Sequence, residues 1–182
     1  VSLFSRSQLL AHGIDSDSFS IVEFSPDGRS LLGYQQAPPA DVHRGLTWRL
    51  FLLQLRSDGR ISDVRAYDLA IPRLEQAAFT PDGREVVMIT ASGAAFVVLD
   101  LDSGQVRTLM AHEPRKAGFR AQPAVLWRAE GRLLARGYFY DEEDYGGDDA
   151  IAEVDTTKTG MEAFRLAGDL AGTQQLMKDV AI

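Results

Sequence analysis

Two hexapeptides constrain this chain more than anything else in it: FSPDGR at 24–29 and FTPDGR at 79–84, followed by the apolar runs SLLGYQQ and EVVMITA. In each, the proline presets φ for the first corner of a tight turn, and the aspartate favours turn backbone. The glycine, Gly28 or Gly83, supplies the positive φ that a hairpin bend demands. A chain that writes this signature twice is built of hairpins, and they repeat. A weaker third copy, WRAEGR at 127–132, precedes LLARGYFY; it has Ala129 and Glu130 in place of proline and aspartate, so a less rigid turn is expected. The aromatics that open the copies, Phe24, Phe79 and Trp127, are expected to anchor the preceding strand in the core. A second echo sets QLLAH at 8–12 against TLMAH at 108–112.

Around the second copy four short strands are legible, at 76–79, 85–91, 94–101 and 105–110, with ASGA and LDSGQ as hairpins. AAFVVLDL is apolar almost throughout, which predicts burial on both faces, whereas QVRTLM mixes polar with apolar residues as a partly exposed outer strand does. A four-stranded meander with covered inner strands and a wetter outer one is the blade of a β-propeller. The first copy fits strands at 21–24, 30–35, 47–55 and 61–67, and the third fits 124–128, 132–140, 150–155 and 162–166. The predicted fold is therefore all-β: a partial β-propeller of about three four-stranded antiparallel blades, a segment of a longer propeller. The predicted organisation is residues 1–19 as the end of a preceding blade or linker, blades at 20–68, 75–110 and 123–166, and 169–182 as the start of a following blade or a short terminal helix. Turn signals every few residues argue against helices. The exceptions are TQQLMKDV at 173–180 and SRSQLLAH near the N-terminus, the latter read as strand in preference.

Composition narrows the function classes. Nineteen basic against 26 acidic residues give a net charge of −7, the wrong sign for neutralising nucleic-acid phosphates or docking on anionic lipid. No stretch reaches the roughly 18 apolar residues of a membrane span, and the N-terminus lacks the pattern of a signal peptide. The chain opens without methionine, as a processed or excised piece would. With no cysteine, disulfide scaffolds, thiolate metal sites and cysteine nucleophiles are excluded.

The F-[ST]-P-D-G-R turns resemble the signature of WD40-like, TolB-type β-propeller repeats. ASGAAFVVLDLDSGQVRTLMAH is also similar to a WD40 repeat, with Leu99–Asp100 at the Trp–Asp position and His112 at the Gly–His position. Leu99 and Ala111 replace the tryptophan and glycine of that repeat, which favours the TolB-like reading. The resemblance covers roughly residues 20–166 and implies a bacterial protein, with the periplasm or cell envelope favoured over the cytoplasm. Because closed propellers typically need about 4–8 blades, completion is expected from the rest of a longer chain or from another subunit.

The densest charge cluster, YFYDEEDYGGDDA at 138–150, contains six carboxylates, enough ligands for calcium. It lacks the alternating spacing of a calcium loop, and the preferred reading is a solvated, acidic, tyrosine-flanked loop that meets a basic protein surface. Asp141, Glu143, Asp144, Tyr145 and Asp148 are its contact candidates. The proline-stiffened loop at 35–48 adds His43 and Trp48, although Trp48 also reads as the start of the next strand. Both loops join second to third strands, which predicts one shared rim. Neither a nucleophile elbow nor a P-loop is present, and the three histidines show no ligand spacing. The reading is a non-catalytic protein-binding or scaffolding module without cofactor or metal. The competing reading is the substrate-gating propeller of a prolyl-oligopeptidase-like hydrolase whose catalytic domain lies outside this chain.

Overall fold

The computed structural model describes residues 4–36, 48–71, 73–90, 95–111, 118–129, 131–140 and 149–167. Among the described residues it is all-β apart from one short helix and one 3₁₀ turn, and its twelve described strands form three four-stranded antiparallel sheets. The first sheet runs β1 (Ser20–Phe24), β2 (Ser30–Gln36), β3 (Trp48–Leu55) and β4 (Ile61–Leu69). The second runs β5 (Leu74–Phe79), β6 (Glu85–Thr90), β7 (Ala95–Asp100) and β8 (Val106–Ala111). The third runs β9 (Gly118–Ala129), β10 (Arg132–Tyr140), β11 (Asp149–Val154) and β12 (Phe164–Leu166). Strand order follows chain order in every sheet. Each sheet is thus a meander of the blade type, and the chain is a partial β-propeller. Among the described residues no helix is long and apolar enough to cross a membrane.

The chain divides into two compact units, residues 1–74 and 75–182. In the first, β2 and β3 are buried on both faces. One face, with Leu31, Phe51 and Leu53, packs against Phe4, Leu9 and Ile14 from the N-terminal segment. That segment contains the helix α1 (Arg6–Leu10), where a strand was expected. The cause is a capping box: the Gln8 N–H donates to Ser5 Oγ while the Ser5 N–H donates to Gln8 Oε1 at 2.9 Å. The echo between QLLAH and TLMAH is therefore not structural, since Gln8–Leu10 are helical and Thr108–Ala111 belong to β8.

In the second unit the second and third sheets share one core. Phe96 lies 4.7 Å, centroid to centroid, from Phe164, which stacks at 5.1 Å on Phe119, with Phe139 a further 5.0 Å along. Each fully buried phenylalanine contributes on the order of 1.5–3 kcal/mol by leaving water. As the apolar runs foretold, Val86 to Thr90 and Phe96 to Leu99 are buried throughout, while β8 exposes its first three residues. Gln76 links the sheets directly: its Nε2 donates to Leu126 O at 3.0 Å, and the Leu126 N–H donates to its Oε1 at 2.8 Å.

Three expectations need correction. Phe79 is buried, but Phe24 is 42% exposed. Phe24 ends an edge strand with no buried residue, whereas β5 is packed into a core shared by two sheets. β9 starts at Gly118 rather than near 124; its pairing with β10 jumps from Ala121↔Gly137 to Val125↔Arg136, so a bulge absorbs Pro123 and lets the strand continue. Pairing there is so close that a Cβ on Gly137 would sit 1.9 Å from Arg120 O. Finally, the segment expected as strand from Glu162 begins as a 3₁₀ turn, Gly160–Ala163, and pairs only from Phe164. The segment 173–180 lies outside the described residues.

Candidate functional site

The repeated turn is held by its Ser or Thr as much as by its Pro-Asp-Gly. In the second copy the Gly83 N–H donates to Thr80 O at 2.9 Å, which closes the tight turn and occupies the carbonyl. The Glu85 N–H that faces it across the hairpin donates to Thr80 Oγ1 instead, at 3.1 Å. Thr80 Oγ1 in turn donates to Asp82 Oδ1 at 2.7 Å, and the same oxygen accepts the Arg84 N–H. The first copy repeats every bond: Gly28 N–H to Ser25 O, Ser30 N–H to Ser25 Oγ at 2.8 Å, Ser25 Oγ to Asp27 Oδ1 at 2.6 Å, and Arg29 N–H to Asp27 Oδ1. Gly28 and Gly83 take φ of 69° and 73°, as the turn requires. The third copy is a different turn, because Ala129 pairs directly with Arg132 and leaves two linking residues.

These bonds set the charge state of the turn. The Thr80 hydroxyl, first, holds the Asp82 carboxyl below the usual carboxylate range; burial opposes it, and the Arg84 N–H and guanidinium add smaller lowering effects. Asp155, between β11 and β12, is lowered chiefly by the Thr157 hydroxyl, with help from the Thr157 N–H and Lys158. Arg165 is raised by its bond to Glu153. All are charged at neutral pH.

At the turn end of the second and third sheets these groups line a cleft of about 390 Å³. The β5–β6 turn contributes Thr80, Pro81 and Asp82, the β9–β10 turn Gly131 and Arg132, and the β11–β12 segment Glu153, Asp155, Lys158, Glu162 and Arg165. Two ion pairs cross the lining, Arg165 to Glu153 at 2.5 Å and Lys158 to Asp155 at 3.4 Å. Such a surface suits electrostatic recognition. Acid catalysis asks for a carboxyl whose pKa is raised towards neutrality, and Asp82 and Asp155 are moved the other way.

Reading the sequence for loops missed this cleft, because its residues are the turns that the repeat analysis assigned to folding alone. The one available signal was that repeated hairpins present equivalent turns at equivalent ends of adjacent blades. Of the seven predicted contact residues, only Trp48 lies among the described residues. It is half-buried at the start of β3 and packs edge-on against Tyr34 at 5.6 Å. His43, Asp141, Glu143, Asp144, Tyr145 and Asp148 lie outside the described residues. β10 ends at Tyr140 and β11 starts at Asp149, at the end of the third sheet opposite the cleft. Among the described residues no group of His, Asp or Glu is arranged to hold a metal.

Neither a protein-family sequence profile nor a curated protein sequence matches the chain. Among solved structures, the dihydro-heme d1 dehydrogenase NirN aligns over 82% of this chain and 26% of its own, at 14% identity and a TM-score of 0.44. TolB from Acinetobacter baumannii aligns over 72% of this chain and 33% of its own, at 14% identity and a TM-score of 0.37. An acylaminoacyl peptidase from Pyrococcus horikoshii aligns over 75% and 22%, at 12% identity and a TM-score of 0.41. The chain spans no more than about a third of the length of each of these structures. Propeller-like folds host unrelated activities, so it is the geometry of the chain itself that bears on function.

Proposed function

We propose that this chain is a non-catalytic, protein-binding β-propeller segment of the WD40-like, TolB-type class, with a basic protein surface as its partner and the cell envelope as its compartment. The observation that supports the reading is charge: six carboxylates fall within the nine residues 141–149, flanked by tyrosines. Asp141, Glu143, Asp144, Tyr145 and Asp148 are the proposed contacts of this stretch.

Attraction between exposed charges decays over a Debye length of about 8 Å at physiological salt, so association is expected to slow as salt rises. The test is the rate at which the protein binds a short oligolysine peptide across a salt series. It is compared with the variant Asp141→Ser/Glu143→Ser/Asp144→Ser, whose fold should hold because exposed substitutions change stability by only about 0.5 kcal/mol. The expected result is a lower association rate in the variant and in high salt. Rates indifferent to both would overturn the reading, and calcium heats of micromolar affinity lost in the same variant would replace it with an ion site. Labelling of the full-length protein by an active-site serine probe would favour the hydrolase-gating alternative.

A further inference from the structure

We propose that the cleft at the turn end of the second and third sheets is a receptor for a single basic side chain, guanidinium or ammonium, projecting from a partner polypeptide. The inference rests on the partner-binding reading above and assigns it a second, separate site. Seven ionisable side chains line the cleft, four acids and three bases, so their pairing decides what a ligand meets. Arg165 bonds Glu153 through Nη2, and Lys158 pairs with Asp155. Arg132 is also engaged. Asp82 uses only Oδ1, which accepts both the Thr80 hydroxyl and the Arg84 N–H; its Oδ2 takes no bond among the described residues. Glu162, on the 3₁₀ turn, makes none among them with either oxygen.

Four carboxylate oxygens of the lining are thus without a bond among the described residues, Asp82 Oδ2, Glu153 Oε1 and both of Glu162, around a space that lies within the range of small-ligand pockets. A cation is what they lack. Arginine fits best on chemistry, since its planar fork can serve acceptors on two separate walls, while lysine satisfies them as a point charge. The aliphatic stem of either side chain has the exposed ring of Pro81 to lie against.

The test is a titration of the isotope-labelled protein with N-acetyl-arginine amide, N-acetyl-lysine amide and N-acetyl-glutamate amide, read by amide chemical shifts. The two basic probes should shift resonances of residues 80–84 and 153–165, with at least threefold weaker binding in Glu162→Gln. Asp102→Asn, which removes an equal charge from the β7–β8 turn outside the cleft, should leave binding unchanged. Equal affinities in Glu162→Gln and the unaltered protein, equal losses in both variants, or stronger shifts with the glutamate probe would each overturn the inference. Should oligolysine bind with the expected salt dependence while neither basic probe shifts the cleft, the cleft assignment falls and the partner-binding reading stands. The reverse pattern would remove the acidic stretch and keep the cleft.

Discussion

Replacing Thr80 by valine isolates the hydroxyl that holds the second Pro-Asp-Gly turn, because the two side chains share a shape. Thr80 is 5% exposed, so little water reaches the groups left behind. Oγ1 accepts from the Glu85 N–H at 3.1 Å and shares its one proton between Asp82, at 2.7 Å, and Glu85 O, at 3.2 Å, and all of these bonds disappear. Thr80 O is directed at the Gly83 N–H, at 2.9 Å, and the Glu85 N–H is bonded to Oγ1 and not to it. A buried donor left unsatisfied costs about 1–3 kcal/mol, and a hydrogen bond to a charged group contributes about 1.5–3. The second figure is discounted here because Asp82 itself reaches solvent. The expected loss is about 2–4 kcal/mol.

Urea unfolding at neutral pH, at unchanged m-value, reads that loss, and Thr80→Ser should recover most of it. Acid supplies an independent readout. Asp82 has a folded pKa below the ordinary aspartate value of 3.8, so its contribution is fully present above that value and is lost as pH falls through the folded pKa. The stability gap between Thr80→Val and the unaltered protein should therefore narrow on acidification through that window. A loss under about 0.5 kcal/mol, within the range of surface substitutions, or a gap that widens in acid would refute the account of the turn.

Other substitutions probe other parts of the fold. Gly83→Ala places a Cβ at φ 73° and should cost roughly 1 kcal/mol or more in chemical denaturation. Gly137→Ala sets a Cβ 1.9 Å from Arg120 O; because that neighbour is backbone, β9 and β10 must part, and a loss at or above the usual ~1–3 kcal/mol of overpacking is expected from thermal unfolding. Gln76→Leu leaves the Leu126 N–H and C=O without their side-chain partner, for an expected ~2 kcal/mol. Hydrogen exchange should then speed up at Leu126 before it does in β6 or β7.

The hairpins were legible because their chemistry is local: proline, aspartate and glycine each act within four residues of backbone, so both copies of the turn could be placed from letters alone. Double-sided burial of β6 and β7 was legible for a similar reason, an unbroken apolar run. What escaped depends on longer reach or on weaker signals. The N-terminal helix is five residues long, too short for periodicity to show. Its one local mark is Ser5 followed three positions later by Gln8, and that was outweighed by an echo of TLMAH. Pro123 hid the first half of β9, since a proline tells against a strand unless a bulge is foreseen. Phe24 and Phe79 occupy equivalent positions in the repeat and differ in burial because only one of them belongs to a unit in which two sheets share a core.

The cleft shows why a folding motif can also be a recognition surface. Thr80 needs a hydrogen-bond acceptor for its own proton once Oγ1 has taken the Glu85 N–H, and Asp82 supplies one oxygen for that purpose. A carboxylate carries two. The turn therefore buries one half of the aspartate's hydrogen-bonding capacity in structure and leaves the other half, with the full negative charge, at the sheet's end. An asparagine would close the turn nearly as well through its carbonyl oxygen, yet would present an amide instead of an anion to the cleft. Asp82→Asn thus separates the two roles: stability should fall only by the charge-assisted part of the Thr80 bond, roughly 1 kcal/mol, whereas affinity for a basic side chain should fall at least threefold. A loss of stability with affinity for the basic side chain unchanged would mean that Asp82 serves the fold alone.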